Sequence, residues 1–184
     1  MPLSEDPTAL QGALLAEAFH LLLSSGRPVP RATLARAVGC GEAAVDEALA
    51  GLERIGRTRS PAAGEVLGSL GLSIEPSPHE LLLEVGRRYT WCALDAVGIL
   101  GALDASGRIR SVSPATGAGI EIGFEQGRPI ALGGLVLFIP SATCTSVVDE
   151  WRPLVNFLRG RRGSRGLEHR AEGRRDHASA RGGD

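Results

Sequence analysis

The chain contains no lysine; all 20 of its basic residues are arginine. We read this as the coding bias of a GC-rich genome, because nothing in the chemistry of the chain demands it. Cysteine is scarce. Cys40, Cys92 and Cys144 are odd in number and form no C-x-x-C pair, which argues against a disulfide framework and a structural zinc site. A basic stretch followed by an apolar run is also missing from the N-terminus. Residues 13–23 are apolar but short, and Glu17 and His20 interrupt them, so neither a signal peptide nor a membrane span is expected. The expectation is a cytoplasmic protein with reduced thiols and no membrane partner. An excess of positive charge is lacking where a nucleic acid would need it. From Arg159 onward there are 8 Arg against 4 acids, which leaves 12 Arg against 17 acids in residues 1–158. That acidic balance argues against a nucleic-acid surface.

What is present suits an α+β chain. At 184 residues and 43% apolar content it can form one compact domain or two small ones. Leu10, Leu14, Ala18, Leu21 and Leu22 fall at helical spacing within residues 7–24, and Ser24-Ser25-Gly26 closes that helix. After the extended Arg27-Pro28-Val29-Pro30 come helices over 31–38 and 42–55, joined by a turn at Gly39-Cys40-Gly41. This helix-turn-helix pattern could read DNA, but its second helix offers Glu42, Asp46, Glu47 and Glu53 against Arg54. A duplex would repel that face, so a small packing domain is the better reading. Strands are expected at 67–74, 80–85, 108–112, 120–124 and 155–158. A further strand is expected at 130–139, apolar enough to be buried. A turn is expected at Glu75-Pro76-Ser77-Pro78 and a short helix over 141–151. After Leu158 the chain is Arg/Gly-rich and nearly free of apolar residues, which predicts a disordered tail. The division is therefore a helix-turn-helix-like, winged-helix-like three-helix domain (1–60), a core of short mixed strands around a central helix (61–158), and the tail (159–184).

The chemistry concentrates in Arg87-Arg88-Tyr89-Thr90-Trp91-Cys92-Ala93-Leu94-Asp95, read as the entry to an apolar helix running to about Leu103. Cys92 and Asp95 are three apart, so both side chains lie on one helix face, about 5–6 Å apart at Cβ. A soft metal ligand and a proton carrier can meet there. Taken alone, a Cys on an apolar helix is more often an inert small hydrophobe. Asp95 shifts the balance, because a core helix would place an apolar residue between Leu94 and Ala96. A buried carboxyl needs a partner or keeps its proton, and beside a thiol it can serve as a general acid. Cys40, in the turn between two helices, reads as a packing residue. His79 stands at a turn before a strand, where satisfied hydrogen bonding is the simpler account. His169 and His177 are too far apart for a local metal motif.

Residues 25–158 resemble the alkylmercury (organomercurial) lyase family. Its members share a Trp-Cys-Ala-Leu-Asp run like that at 91–95. Weaker likenesses follow in family order: Gly26-Arg27-Pro28-Val29-Pro30-Arg31-Ala32-Thr33-Leu34-Ala35, Gly71-Leu72-Ser73-Ile74, Glu75-Pro76-Ser77-Pro78-His79 and Ser113-Pro114-Ala115-Thr116-Gly117. The resemblance implies a lyase-like core in which Cys92 is a mercury-binding thiolate and Asp95 the proton shuttle. It implies protonolysis of a carbon–mercury bond to a hydrocarbon and Hg(II), with an organomercurial substrate, small thiols as partners and no organic cofactor. The family uses a second cysteine four residues before an aromatic in a late strand. If Phe157 is that aromatic, Pro153 stands in the cysteine's place; Cys144 would serve as second Hg(II) ligand only if its loop folds inward. Ser113 replaces the family's turn cysteine. The alternatives are a non-catalytic member that binds Hg(II) or a small organic ligand in the same pocket and, more weakly, a transcription regulator.

Deleting residues 160–184, where Leu167 is the sole large aliphatic residue, should move the melting temperature by only about a degree or two. A larger fall would show that the tail docks on the core.

Overall fold

The computed structural model describes residues 6–61, 64–141 and 150–159; Cys144, most of the helix expected over 141–151 and the tail beyond Arg159 lie outside them. Helix α1 (Ala9–Ser25) starts with a reciprocal cap. The Thr8 hydroxyl accepts from the Gln11 N–H and the Gln11 side chain accepts from the Thr8 N–H. Strand β1 (Val29–Pro30) leads into α2 (Arg31–Val38) and α3 (Glu42–Arg54), the pair expected from the turn at Gly39. On α3, Val45, Ala48, Leu49 and Leu52 are buried, while Glu42, Asp46, Glu47 and Glu53 stay exposed. The acidic face is therefore real.

Short strands follow: β2 (Thr58–Arg59), β3 (Glu65–Val66), β4 (Gly68–Ser69), β5 (Leu72–Ser73), β6 (His79–Leu83) and β7 (Gly86–Thr90). Helix α4 (Ala93–Ala102) comes next, then β8 (Gly107–Val112), β9 (Gly119–Glu125), β10 (Arg128–Ile130), β11 (Leu135–Phe138) and β12 (Asn156–Arg159). Eight strands form one antiparallel sheet in the order β10-β9-β8-β6-β7-β5-β4-β2, while β1 pairs with β3 and β11 with β12. Period-2 burial is clearest on β9, where Ile120, Ile122 and Phe124 are buried between exposed Glu121 and Glu125. Helix α4 packs on β5, β6, β7, β8 and β12. Among the described residues, no helix is long and apolar enough to cross a membrane.

Three expectations need correction. Residues 67–74 do not make one strand: β4 and β5 form a hairpin turning at Leu70-Gly71, both at positive φ. Residues 130–139 do not make one buried strand either. Ala131, Gly133 and Gly134 all have positive φ and break the run, and Ile130, Leu132, Val136 and Ile139 are exposed. Finally, residues 86–90 of the stretch read as the entry to the central helix form a strand, and that helix starts only at Ala93.

Strand β7 carries the contact that ties the helices to the sheet. Arg88 is 4% exposed and meets no carboxylate among the described residues. Its Nε donates to the carbonyls of Leu22 and Leu23, and Nη2 to those of Leu23, Ser24 and Val85. The guanidinium thus answers carbonyls at the C-terminus of α1, of which Leu22 O also accepts from the Gly26 N–H, and the helix dipole there favours a cation. Gly26 makes room: it closes α1 at φ 63°, and a Cβ there would lie 2.7 Å from Arg88 Nη1. Arg88→Met should keep the apolar stem but leave these carbonyls dry, costing about 3 kcal/mol in urea unfolding. A loss under about 1 kcal/mol would mean that water replaces the guanidinium without penalty.

Candidate functional site

Strand β7 ends at Thr90, and the chain turns through Trp91 and Cys92 into α4. Three backbone contacts fix this corner. The Trp91 N–H donates to Gly71 O at 2.9 Å, the Thr90 hydroxyl to Cys92 O at 2.9 Å, and the Ala93 N–H to Val155 O at 3.2 Å. Cys92 is extended (φ −154°, ψ 173°) and occupies the N-cap position of α4. A helix cap is normally a hydroxyl or carboxylate oxygen, and sulfur is a weak acceptor. A thiol here is therefore a poor choice for stability, and its value lies in its chemistry.

Cys92 Sγ donates to Asp95 Oδ2 at 3.1 Å and accepts from the Asp95 N–H at 3.4 Å. The residues paired from spacing do meet. Burial of Cys92 (1% exposed) pushes its thiol up to about 12, and the Asp95 charge and side-chain hydrogen bond add to the rise; N–H groups of Asp95 and Leu94 oppose it. The resting thiol therefore holds its proton and points it at the carboxylate. Asp95 is only half-buried, not largely buried as the apolar surroundings in sequence imply. Its position at the third residue of the helix leaves one side of the carboxyl open. The other side abuts the β4–β5 turn, where a Cβ on Gly71 (φ +90°) would fall 2.5 Å from Asp95 Cγ and Oδ1.

The segment 150–155 supplies residues that spacing did not reveal. The Arg152 guanidinium lies 4.2 Å from the Trp91 ring centroid. Burial lowers its affinity for a proton, while attraction to Asp95 and Cys92 raises it, which places the cation in the field of the pair. Arg152 Nη1 and Trp91 Nε1 are buried with no hydrogen-bond partner among the described residues. Val155 is buried against Ala93, whereas Pro153 is exposed. This segment thus brings to the site the Arg152 cation and the Val155 carbonyl. Among the described residues the free cysteines are Cys40 and Cys92, with Cys40 remote in the α2–α3 turn. No group of three or more potential metal ligands occurs among the described residues. A cleft of about 500 Å³ is walled by Trp91, Thr58, Arg59, Ser73 and Glu75, but neither Cys92 nor Asp95 lies on its wall.

Residues 72–163, half of the chain, match the family model described as alkylmercury lyase. The alkylmercury lyase of Pseudomonas putida is 34% identical over 100 residues, which is 54% of this chain and 45% of that protein. That of Streptomyces lividans is 34% identical over 104 residues, 56% of this chain and 46% of its own length. The chain thus spans about half the length of the curated relatives it matches. Among solved structures, the mercury-bound form of MerB2 superposes with a TM-score of 0.79 at 19% identity, covering 89% of this chain and 80% of that one. That likeness bears on the fold.

His79, weighed above as a candidate, is a core residue. Its ring is 4% exposed, shares a 2.8 Å hydrogen bond with Ser111 Oγ through Nδ1, and stands edge-on to Phe157 at 6.0 Å. Burial lowers it to about 4. A folded value below the unfolded one means that stability is intact above pH 6.5 and is lost as pH falls toward 4. Between pH 7 and 4, the advantage of the native chain over His79→Gln should shrink by about 3 kcal/mol in denaturant titrations. Parallel pH curves for the two proteins would refute the buried neutral ring.

Proposed function

The chain belongs to the alkylmercury lyase family, and on that premise we propose that it cleaves carbon–mercury bonds by protonolysis, using Cys92 and Asp95. The observation that carries this reading is the 3.1 Å contact from Cys92 Sγ to Asp95 Oδ2. Thiolate is the soft ligand that mercury selects, and a thiol held at about 12 must lose its proton as the metal binds. The acceptor is already hydrogen-bonded to it. In R–Hg–X, sulfur attacks mercury, X leaves as the anion, and the thiol proton passes to the Asp95 carboxylate. The carbon–mercury electron pair then takes that proton from Asp95, R–H departs, and Asp95 returns to the carboxylate. Hg(II) stays on Cys92 Sγ.

A second soft ligand completes the product. A small thiol fills that place: its sulfur binds Hg(II) and its proton leaves with X as HX, so atoms and charge balance. Cys144 is the alternative donor; it lies outside the described residues. Because Cys92 is 1% exposed, its neighbours must part to admit the substrate. Keeping the thiol dry until then also limits its oxidation, which follows exposure and thiolate character.

One observation favours a second reading. The thiol's proton is held tightly rather than loosened, unlike the lowered values of typical reactive cysteines. A family member of this kind could bind mercury without cleaving. The two readings separate in an assay of benzene release from phenylmercury with excess small thiol. Native protein should release benzene slowly, in a thiol-dependent way. Cys92→Ser should abolish both mercury binding and release. Asp95→Asn should keep mercury binding and lose release by at least about a hundredfold, the lower range for a positioned general acid. No release above buffer would leave the binding reading; full turnover in Asp95→Asn would remove the shuttle role.

A further inference from the structure

We propose that Trp91 and Arg152 form a carboxylate seat, so that the small thiol completing the mercury coordination is an anionic one; this rests on the reading of Cys92 given above. The two side chains are one stacked unit, with the guanidinium carbon 4.2 Å from the ring centroid. Each carries a buried nitrogen, Arg152 Nη1 and Trp91 Nε1, without a hydrogen-bond partner among the described residues. Both groups can only donate. Orphan donors of this kind call for an acceptor from outside the fold. Two of them on one stack, one cationic, suit a carboxylate, whose paired oxygens match a guanidinium fork. Asp95 does not fill this role. It attracts the guanidinium, yet makes no bond to Nη1, and its Oδ2 takes the Cys92 thiol.

Backbone contacts dock this stack at the start of α4. The Val155 N–H donates to Arg152 O at 3.0 Å, and Val155 O accepts from the Ala93 N–H at 3.2 Å. The turn that carries Arg152 is therefore pinned to the first residue of the helix that Cys92 caps. The guanidinium also lies within electrostatic reach of both Asp95 and Cys92. A short mercaptocarboxylate anchored on the stack thus presents its sulfur at the same end of α4 as Cys92. The cleft of about 500 Å³ that Trp91 walls together with Thr58 gives a small molecule its approach. Thr58 Oγ1 is a third buried polar atom without a partner among the described residues.

The test uses the full chain loaded with one equivalent of mercuric chloride and titrated with a thiol. The thiol sulfur displaces chloride from mercury, its proton goes to buffer, and mercury–thiolate absorption reads the affinity. Anionic 3-mercaptopropionate is compared with neutral 2-mercaptoethanol and cationic cysteamine. Each affinity is taken as native over variant, so that the intrinsic strength of the thiol cancels. Arg152→Gln should cost 3-mercaptopropionate roughly tenfold more than it costs 2-mercaptoethanol, the lower end for a hydrogen bond to a charged group, and should favour cysteamine. Trp91→Phe keeps the stack and removes only Nε1, and should cost the anionic thiol roughly threefold more than the neutral one. If Arg152→Gln fails to fold, Trp91→Phe decides alone. Equal effects on the three thiols overturn the seat, as does a native protein that holds no mercury on Cys92. Benzene release is read separately. If it is absent while the preference for the anionic thiol depends on Arg152 and Trp91, the lyase reading fails and the seat stands.

Discussion

The buried guanidinium of Arg88 sets the position of everything that acts. It answers the carbonyls at the end of α1 from the middle of β7, so the helical segment and the sheet hold each other at a fixed distance. Strand β7 is also central in another sense. It is in register with β6 along its whole length and with β5 at Tyr89 and Thr90. Two residues beyond Arg88 it ends at Thr90, whose hydroxyl holds the Cys92 carbonyl. The cation is thereby made to serve as a joint, because six N–H···O contacts spread its charge over helix-end and strand carbonyls. Such a joint has little freedom: a shorter or unbranched ammonium could not reach the same fan of acceptors.

From that joint the site follows as a consequence of local geometry. Because β7 stops and α4 starts within three residues, Cys92 lands at the N-cap and Asp95 at the third helical position. In a capping box that third residue reaches back to the cap. Here the same reach brings a carboxylate to a thiol. The usual stabilising device of a helix start has been given a side-chain pair with acid–base chemistry, at the expense of a weaker cap.

Much of this was legible in sequence where the pattern was local. The turn at 114–119 marked 108–112 and 120–124 as strands on either side of it, the Gly and Pro punctuation marked the helix ends, and the three-residue spacing of Cys92 and Asp95 put them on one face. What could not be read depended on distant partners. Gly86-Arg87-Arg88-Tyr89-Thr90 looks polar, and Arg88 is buried because α1 ends beside it, some sixty residues earlier in the chain. Residues 130–139 look like a core strand by hydropathy alone, yet the glycines at 133 and 134 turn the chain, and Ile130, Leu132, Val136 and Ile139 stay at the surface. The glycines at 68 and 71 were the missed clue: isolated glycines within an apparent strand signal a bend or a close approach, and both occur here, the second against Asp95. Pro153 drew attention because of a missing thiol. The residues of that segment that reach the site are Arg152 and Val155, which only three-dimensional packing could single out.

Arg152 completes the electrostatic account. Drawing a guanidinium partly out of water, with an Nη1 that has no hydrogen-bond partner among the described residues, costs free energy unless other attractions offset it. Two attractions offset that cost: the face of Trp91 and the carboxylate of Asp95. The thiol, in contrast, is held protonated by its own burial and by the carboxylate beside it. The resting site is thus arranged with one proton between sulfur and oxygen and one fixed cation nearby. On the proposed reading, a metal that takes the sulfur leaves the thiol proton to the Asp95 oxygen that already accepts its hydrogen bond.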